Sequence, residues 1–288
     1  MIYFCADDYG LCDSANIHIQ QCIEEGVLNK VSVFPNLGKV DLSKLSDNNS
    51  VRLSLHLNLV EGKCMAKADE VSLIAHKNGN FKYTFGGLFK LCLFHRKELE
   101  AQLYKEIKAQ VLFWKNILPE SVPFCVDSHQ HTHMIPAVFK ALVKVLDDEK
   151  IALEYIRIPS EPLVPFIKKP SLYFTYNMVN IIKQWLLKLL WLCNQKYVKK
   201  NKIPTANFFG ILFSGKMDEN RVKKLLPGYI KRAQKNGMDI EILFHPGYIE
   251  KNEIDFKNNN IVFEKFYLSD NRKTEFDSVI KLSERSVL

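Results

Sequence analysis

Two adjacent aspartates, Asp7 and Asp8, follow the short apolar segment Ile2–Ala6. Neighbouring carboxylates repel each other, and burial at the end of a strand would raise the pKa of one of them. The pair becomes useful if one carboxylate binds a cation while the other accepts a proton. The alternative, a turn or helix cap before Gly10, accounts for either residue alone better than for the pair.

Three alternating histidines, His129, His131 and His133, begin two residues after Asp127. In extended backbone the three side chains would share one face, because the side chains of a strand alternate. Imidazole nitrogens bind divalent metals well, and Asp127 could orient one of the rings from behind. We therefore predict a metal site here, against the alternative of exposed or hydrogen-bonded histidines.

Two further histidines and an arginine stand where predicted strands end. His56 ends the segment Val51–Leu57, Arg157 ends another strand, and His245 follows Asp239–Phe244, where a Pro-Gly turn holds it. Each histidine alone could be an ordinary turn or core residue. Because the carboxyl ends of parallel strands converge on one face, however, five strands would bring ionisable groups together there.

Short apolar strands alternate with amphipathic helices along the chain. The predicted strands are Ile2–Ala6, Lys30–Pro35, Val51–Leu57, Val122–Asp127, Glu154–Ile158, Thr205–Gly210 and Asp239–Phe244. The predicted helices are Ser14–Glu25, Glu98–Asn116, Pro136–Asp148, Asp218–Asn236 and Thr274–Arg285. This alternation predicts a parallel α/β sheet, open or closed. No linker interrupts it, so we expect a single domain over residues 1–288, with a helical insertion at 160–204.

The composition is that of an ordinary globular protein. The chain has 288 residues, of which 47% are hydrophobic and 25% charged, which excludes a disordered or fibrous protein. The net charge of +8 owes much to one cluster, Lys196, Lys199, Lys200 and Lys202, so we expect no nucleic-acid partner.

The seven cysteines are odd in number and irregularly spaced, without a C-x-x-C pair. This spacing disfavours a disulfide framework or a cysteine zinc site and favours a reducing compartment. The N-terminus lacks the pattern of a secretory signal, and no uncharged apolar run is long enough to predict a transmembrane helix. We therefore predict a cytoplasmic location.

The insertion contains a helix with two contrasting faces. At ~100° per residue, residues 177–195 form one narrow polar stripe and one wide apolar face. The stripe consists of Asn177, Asn180, Gln184, Lys188 and Gln195, and the apolar face of Trp185, Leu186, Leu189, Trp191 and Leu192. The helix either packs over the sheet or lies in the plane of an anionic membrane, with residues 177–202 in contact with the inner leaflet.

Several short motifs occur in one order along most of the chain. They are Ala6-Asp-Asp-Tyr-Gly10, His56-Leu-Asn-Leu with Glu61-Gly62, Pro123 with Asp127-Ser-His-Gln-His-Thr-His133, Arg157-Ile-Pro and His245-Pro-Gly247. This ordered set resembles the YdjC-like carbohydrate deacetylases. The resemblance implies a distorted (β/α) barrel, a divalent metal and hydrolysis of N-acetyl groups on sugars. Tyr9 stands where that family usually has Phe, and Cys125 where some relatives have His.

The resemblance also implies roles for individual residues. The metal histidines fall on His56 and His129, and similarity to the related NodB-type deacetylases makes Asp8 the carboxylate ligand and Asp7 the base. We expect Arg157 to pair with Asp7 and keep it ionised. We predict that His245 protonates the leaving amine, because histidine titrates near neutrality.

The family is associated with Mg²⁺, although two imidazoles and one carboxylate suit Zn²⁺ or another transition ion at least as well. The expected partner is an N-acetylated sugar, either an oligosaccharide or linked to a lipid. Two alternatives belong to other classes: a metal-dependent phosphoesterase or amidohydrolase on a related barrel, and a non-catalytic glycan- or lipid-binding protein. The first usually has H-x-H after its first strand, where this chain has two aspartates.

Overall fold

Seven parallel strands form the sheet of the computed structural model, which describes residues 1–38, 40–46, 51–94, 96–250, 252–254 and 263–283. The strands are β1 (Ile2–Tyr9), β2 (Lys30–Val33), β3 (Arg52–Leu57), β4 (Phe124–Ser128), β5 (Leu153–Ile156), β6 (Ala206–Phe209) and β7 (Asp239–Phe244). Their order in the sheet is β5-β4-β3-β2-β1-β7-β6. Most of their residues are buried on both faces, as expected for a parallel sheet covered by helices.

Helices connect most of the strands and cover the outside of the sheet. They are α1 (Asp13–Glu24), α2 (Ser43–Ser46), α3 (Phe85–Phe94), α4 (Arg96–Ile117), α5 (Pro136–Asp148), α6 (Val164–Ile167), α7 (Met178–Lys200), α8 (Glu219–Asn236), α9 (Glu264–Tyr267) and α10 (Asp270–Ser283). Two predicted elements, Pro136–Asp148 and Asp239–Phe244, have the bounds expected from the sequence. The last helix begins at Asp270 rather than Thr274, and the final two residues predicted for it, 284 and 285, lie outside the described residues.

The sheet curls until its two edges approach each other. The amide of Ile156 in β5 donates a hydrogen bond of 3.2 Å to the carbonyl of Pro204, just before β6. Inside the curl, the Tyr155 hydroxyl of β5 contacts the Glu241 carboxylate of β7. These contacts cross from one edge strand to the far side of the sheet, so the fold is an incomplete barrel. The predicted distorted (β/α) barrel of about seven strands is confirmed.

The interior of the barrel holds paired charges. Lys30 Nζ lies 3.0 Å from Glu241 Oε2, and Arg157 Nε donates to Glu241 Oε1 at 2.6 Å, with all three side chains fully buried. A buried charge without a partner is strongly destabilising, so these ion pairs hold one another in place. Their consequence for the site is that Arg157 has a fixed position at the end of β5.

Helix α7 of the insertion covers the carboxyl ends of the strands with a face that combines buried amides and buried apolar side chains. Asn180 Nδ2 donates to the carbonyls of Leu212 and Ser214, both at 3.1 Å, and Asn194 Nδ2 donates to that of Met134 at 2.7 Å. Gln184 is buried as well, and its amide bonds to a loop carbonyl. These contacts pack one face of α7 against the loops at the strand ends and leave the opposite face free for the second alternative.

Packing the amides inward leaves apolar side chains facing outward along α7. We call this set the outer stripe: Met178, Ile182, Trp185, Leu189 and Leu192, each more than half exposed. The alternating spacing of four and three residues keeps the stripe on one side of the helix. Within the part of the chain that the structure describes, no helix is long and apolar enough to span a bilayer.

Candidate active site

The two aspartates reach one face of the sheet because β1 has a bulge. Three residue steps on β1, from Ala6 to Tyr9, pair with the two steps from Val31 to Val33 on β2. Asp8 takes up the extra residue with a φ of 75°, in the left-handed region that non-glycine residues rarely occupy. In a regular strand, Asp7 and Asp8 would point to opposite faces. The bulge instead allows both to line the same cavity.

Asp8, His56 and His129 bring one ligand atom each to a single point. Asp8 Oδ1 lies 3.5 Å from His56 Nε2 and 3.4 Å from His129 Nδ1, and all three side chains are buried. Two atoms bound to one ion at about 2.1 Å and at the tetrahedral angle lie ~3.4 Å apart, so these separations fit a shared cation. Asp8 Oδ1 and His56 Nε2 are also buried without a hydrogen-bond partner.

Each of these histidines has a carboxylate at its other ring nitrogen. His56 Nδ1 lies 2.6 Å from Asp127 Oδ1, and His129 Nε2 lies 3.2 Å from Glu61 Oε2. A carboxylate in this position fixes the tautomer and the orientation of a metal-binding imidazole. The contact expected of Asp127 is therefore present, and Glu61 provides its counterpart on the second ring.

The loop after β3 is built to place Glu61. Asn58 Oδ1 accepts the amides of Val60 and Glu61, both at 3.1 Å, while its Nδ2 donates to the Glu61 carbonyl at 2.8 Å. These bonds form an Asx turn, which fixes the backbone locally without tertiary contacts. The Glu61 carboxylate then receives the Tyr267 hydroxyl at 2.7 Å, which holds it beside His129.

The surroundings of His56 favour a positive charge. Burial opposes its protonation, but Asp7, Asp127 and Asp8 outweigh burial and raise the pKa of His56 to about 10. For Asp8, burial alone would raise the pKa, yet Arg272 and the two imidazoles hold it well below its usual value. The same negative potential that holds a proton on the ring would attract a divalent cation in its place.

Asp7 is occupied on both oxygens by Arg157. Arg157 donates to Asp7 Oδ2 at 2.7 Å and to Asp7 Oδ1 at 2.8 Å, the bidentate geometry of a strong ion pair. Although burial opposes ionisation, Arg157 and His56 lower the pKa of Asp7 below its usual value. The predicted pairing is present, and it makes Asp7 less available than Asp8 as a ligand.

The three alternating histidines do not share a face, so that prediction is wrong. Residues His129–Met134 form a 3₁₀ turn, in which Gln130 and His131 have φ values of 52° and 59°. His133 turns inward. Its Nδ1 accepts a hydrogen bond of 2.5 Å from the Ser128 hydroxyl, and its Nε2 donates one of 2.7 Å to the Arg157 carbonyl. Burial lowers its pKa to about 4, which leaves it neutral.

The other two histidines of this turn face the cavity. His129 joins Asp8 and His56, whereas His131 lines the cavity with its Nδ1 unpaired, and burial holds the His131 pKa well below its usual value. A left-handed residue between two histidines reverses the direction of the chain, so alternation cannot persist. His133 therefore positions the Arg157 backbone, and of the three histidines only His129 reaches the carboxylate of Asp8.

His245 follows β7, the strand next to β1, and lines the same cavity as Asp7 and Asp8. Its backbone amide donates to Glu275 Oε2 at 2.6 Å, and its Nδ1 lies 3.4 Å from the same oxygen. Gly247 follows closely, where an added Cβ would lie 3.1 Å from the Ala15 carbonyl of α1. The turn is thus pressed against α1, and His245 is held at the cavity wall.

Several of the residues described so far line one cavity of about 560 Å³, and the others support them from behind. The strand ends contribute Asp7, Asp8, His129, His131 and His245 on one side. Helix α7 closes the other side with Asn180, Ile182, Lys183 and Leu186, among others. The site thus combines a candidate metal centre, an adjacent carboxylate and a further imidazole in a space large enough for a sugar ring.

A family model described as YdjC-like protein matches residues 1–287. The chain belongs to the YdjC-like family. Among curated relatives, it is 29% identical over 161 residues to a carbohydrate deacetylase of Danio rerio, a match covering 56% of this chain and 50% of the relative. The chain therefore spans about half the length of this relative.

Two bacterial relatives are covered more fully. A carbohydrate deacetylase of Clostridium beijerinckii is 24% identical over 191 residues, covering 64% of this YdjC-like chain and 73% of the relative. A chitooligosaccharide deacetylase of Yersinia enterocolitica is 21% identical over 252 residues, covering 85% and 81%. The crystal structure of an Enterococcus faecalis protein, proposed to cleave cellobiose phosphate, superposes with a TM-score of 0.65 at 15% identity, covering 98% and 92%. This last likeness concerns the fold.

Several residues that support the site in this YdjC-like chain were not found by sequence reasoning. Arg272 of α10 contacts Asp8 Oδ2 and donates to the Gly247 carbonyl at 2.7 Å, so it ties the candidate ligand to the His245 turn. Glu275, one turn later, holds His245. Both lie on a helix of ordinary polar composition, and no local motif distinguishes them from surface residues. Only the docking of α10 against the strand ends reveals them.

Proposed function

We propose that this chain is a metal-dependent hydrolase that removes the N-acetyl group from an N-acetylated sugar. The observation that carries the proposal is the meeting of Asp8, His56 and His129 beside Asp7 in one cavity. The relatives named carbohydrate or chitooligosaccharide deacetylases support the same activity. In this proposal residues 1–288 are one deacetylase domain, and the insertion 160–204 covers its active site.

Asp8, His56 and His129 would hold the ion, since their ligand atoms converge and their other polar atoms have protein partners. A bound divalent cation would polarise the acetyl carbonyl and lower the pKa of an adjacent water molecule. The donor set of two imidazoles and one carboxylate suits Zn²⁺ or another transition ion, while Mg²⁺ is the ion implied by the family. We propose a divalent ion, and metal titration identifies it.

Asp7 would act as the general base. Arg157 holds both of its oxygens and keeps it ionised, so a carboxylate is ready to accept the water proton over the working pH range. His245 would protonate the departing amine, because it lines the same cavity as Asp7 with its backbone fixed by Glu275. A base and an acid at the ends of neighbouring strands allow proton uptake and delivery without a rearrangement of the chain.

Acetate release tests the activity. We expect release from N-acetylated sugars to require a divalent ion, and His56→Ala or His129→Ala to lose metal and activity together. Lys77→Ala, an exposed substitution away from the cavity, is the control and should behave as wild type. Phosphate release from phosphate esters without acetate release would replace this proposal by a phosphoesterase, and stoichiometric metal in the His56→Ala protein would remove His56 from the ligand set.

We also propose that residues 177–202 contact an anionic membrane surface on its cytoplasmic side. The outer stripe supports this, together with the exposed lysines that follow it, Lys196, Lys199, Lys200 and Lys202. Each lysine near an anionic surface is worth about 1 kcal/mol, and an apolar stripe beside them adds insertion into the headgroup region.

Vesicle co-sedimentation tests the membrane contact. Binding should require phosphatidylglycerol in phosphatidylcholine vesicles, weaken with salt and fall in the Trp185→Ser/Leu189→Ser protein. Leu93→Ser is the control, since Leu93 is equally exposed but lies on α3. Failure to bind at low salt contradicts the proposal, as does self-association that the double substitution abolishes, because the stripe would then be an interface between copies.

A further inference from the structure

One face of α7 runs from the outer surface into the cavity. Val179, Ile182, Lys183 and Leu186 have the i, i+3, i+4, i+7 spacing of a single helix face, and all four line the cavity. Val179 and Ile182 are nevertheless 64% and 68% exposed. Ile182 also belongs to the outer stripe, so the apolar surface continues without a break to the mouth of the active site.

An apolar mouth offers little to a free oligosaccharide. Sugar hydroxyls are strongly hydrated, whereas an exposed Val-Ile edge gains free energy only by covering apolar surface. Phe266, partly exposed on the facing side of the cavity, adds an aromatic ring to this wall. The mouth therefore suits the part of a ligand that carries a hydrocarbon chain.

Lys183 lies just inside this mouth and is a cation without a protein partner. The half-buried side chain makes no hydrogen bond or ion pair with any residue that the structure describes. Of the charged and titratable groups that face it across the cavity, Asp7 is already paired with Arg157, and His131 and His245 are imidazoles. Burial lowers the pKa of Lys183 to about 8, with Asp7 opposing the shift.

The nearby carboxylates all have other partners. Asp8 forms an ion pair with Arg272, and Glu61 accepts a hydrogen bond from the Tyr267 hydroxyl. Glu275 accepts hydrogen bonds from the backbone amides of Met217 and His245. Lys183 is therefore not needed to neutralise a protein charge. A half-buried ammonium without a partner is unfavourable, so its place in the cavity points to an anionic group on the ligand.

We propose that the substrate is an N-acetylated sugar joined to a lipid through a phosphate group. This rests on the proposed function and extends it to the substrate class. The three recognition elements stand in the order of such a molecule: apolar side chains at the mouth, Lys183 for the phosphate, and Asp7, Asp8 and the histidines for the acetamido group. The anionic group could also come from a water-soluble sugar phosphate, and the experiment separates the two.

The experiment compares three substrates: N-acetylglucosamine joined to a polyprenyl chain by a phosphodiester, N-acetylglucosamine 1-phosphate, and methyl N-acetylglucosaminide. The first is presented in neutral detergent micelles, and acetate is measured. We expect kcat/KM to rise from the methyl glycoside to the 1-phosphate and again to the polyprenyl-linked sugar. The rise for the phosphate should be about tenfold, the value of one charge-assisted hydrogen bond. Lys183→Met should remove the preference for phosphate, and Ile182→Ser the preference for the lipid. Lys188→Met removes the same charge from the exposed side of α7 and should leave both preferences intact.

Binding provides an independent readout. The deacetylated product, glucosamine 1-phosphate, should bind more tightly than methyl glucosaminide in calorimetry, and Lys183→Met should abolish the difference. Equal binding of the two products, or equal loss on all substrates in Lys183→Met, would overturn the role of Lys183. A preference for phosphate without any for lipid would assign the anion to soluble sugar phosphates and overturn the lipid-linked class. Acetate release from the neutral sugar would meanwhile leave the deacetylase proposal standing.

Discussion

Asp127→Asn tests whether the candidate metal centre depends on its supporting carboxylates. Asp127 touches no ligand atom of the cavity, but its Oδ1 lies 2.6 Å from His56 Nδ1 in a fully buried setting. The negative charge keeps the proton on Nδ1 and leaves Nε2 free to bind an ion. Asparagine has nearly the same shape, so the substitution removes the charge with little change in packing.

The size of the effect follows from this contact. Loss of a carboxylate behind a metal-binding histidine costs about 10–100-fold in metal affinity, or about 1.4–2.7 kcal/mol. The fold should survive, because Arg157 keeps Asp7 and Glu241 as partners after Asp127 loses its charge. The amide oxygen can still accept from His56 Nδ1, and the Ser32 hydroxyl, which donates to Asp127 Oδ2 at 2.6 Å, can accept from the new amide nitrogen.

Competition with a fluorescent chelator measures the affinity for Zn²⁺ and Mn²⁺, and circular dichroism checks the fold. Glu61→Gln should weaken binding through His129 by a similar factor, and the two losses should add in the double variant if the rings are held separately. Glu154→Gln, an exposed carboxylate of β5, is the matched control. A folded Asp127→Asn protein with an affinity within twofold of wild type would show that Asp127 does not orient a metal-binding His56.

Three further outcomes follow from single contacts. Asp7→Asn should retain metal but lower kcat by roughly 10²–10⁴-fold, measured by acetate release, and near-normal turnover would contradict a general base there. Lys183 is cationic below its pKa of about 8. The preference for a phosphodiester-linked sugar over the neutral sugar should therefore be greatest well below pH 8 and should fall as the pH rises through that value. A ratio of the two kcat/KM values that does not change with pH would contradict this. Gly10→Ala should lower the free energy of unfolding in urea by about 1–3 kcal/mol, since φ is +91° and the new Cβ would lie 3.2 Å from the Phe34 carbonyl; Gly86→Ala, with open space around it, should not.

The sequence predicted the sheet because its signals are local. Buried parallel strands such as Asp239–Phe244 are short apolar runs, and α5 begins at a proline, so periodicity and end signals suffice to place them. The convergence of polar groups is equally local, since any residue at the carboxyl end of a parallel strand reaches the same face. Asp7, Asp8, His56, Arg157 and His245 were found in this way.

The failures concern backbone conformations and contacts that no short window specifies. The left-handed geometry at Gln130 and His131 breaks the expected alternation of the histidine side chains, and no residue type in Asp127–His133 predicts this geometry. Arg272 reaches Asp8 across more than two hundred and fifty residues of chain, and Glu275 reaches His245 across thirty. Such contacts depend on how α10 docks, which is decided by the packing of the whole barrel.

The orientation of α7 depends both on its local sequence pattern and on contacts with distant loops. Its polar and apolar faces were readable, but the usual rule would turn the apolar face inward. The loops at the carboxyl ends of the strands offer backbone carbonyls, including those of Leu212, Ser214 and Met134, that need donors. The side-chain amides of Asn180 and Asn194 satisfy these carbonyls, so the face of α7 that packs combines amides with buried apolar residues such as Leu187 and Leu190. The outer stripe is then left outside, so the same helix that closes the cavity also exposes an apolar surface.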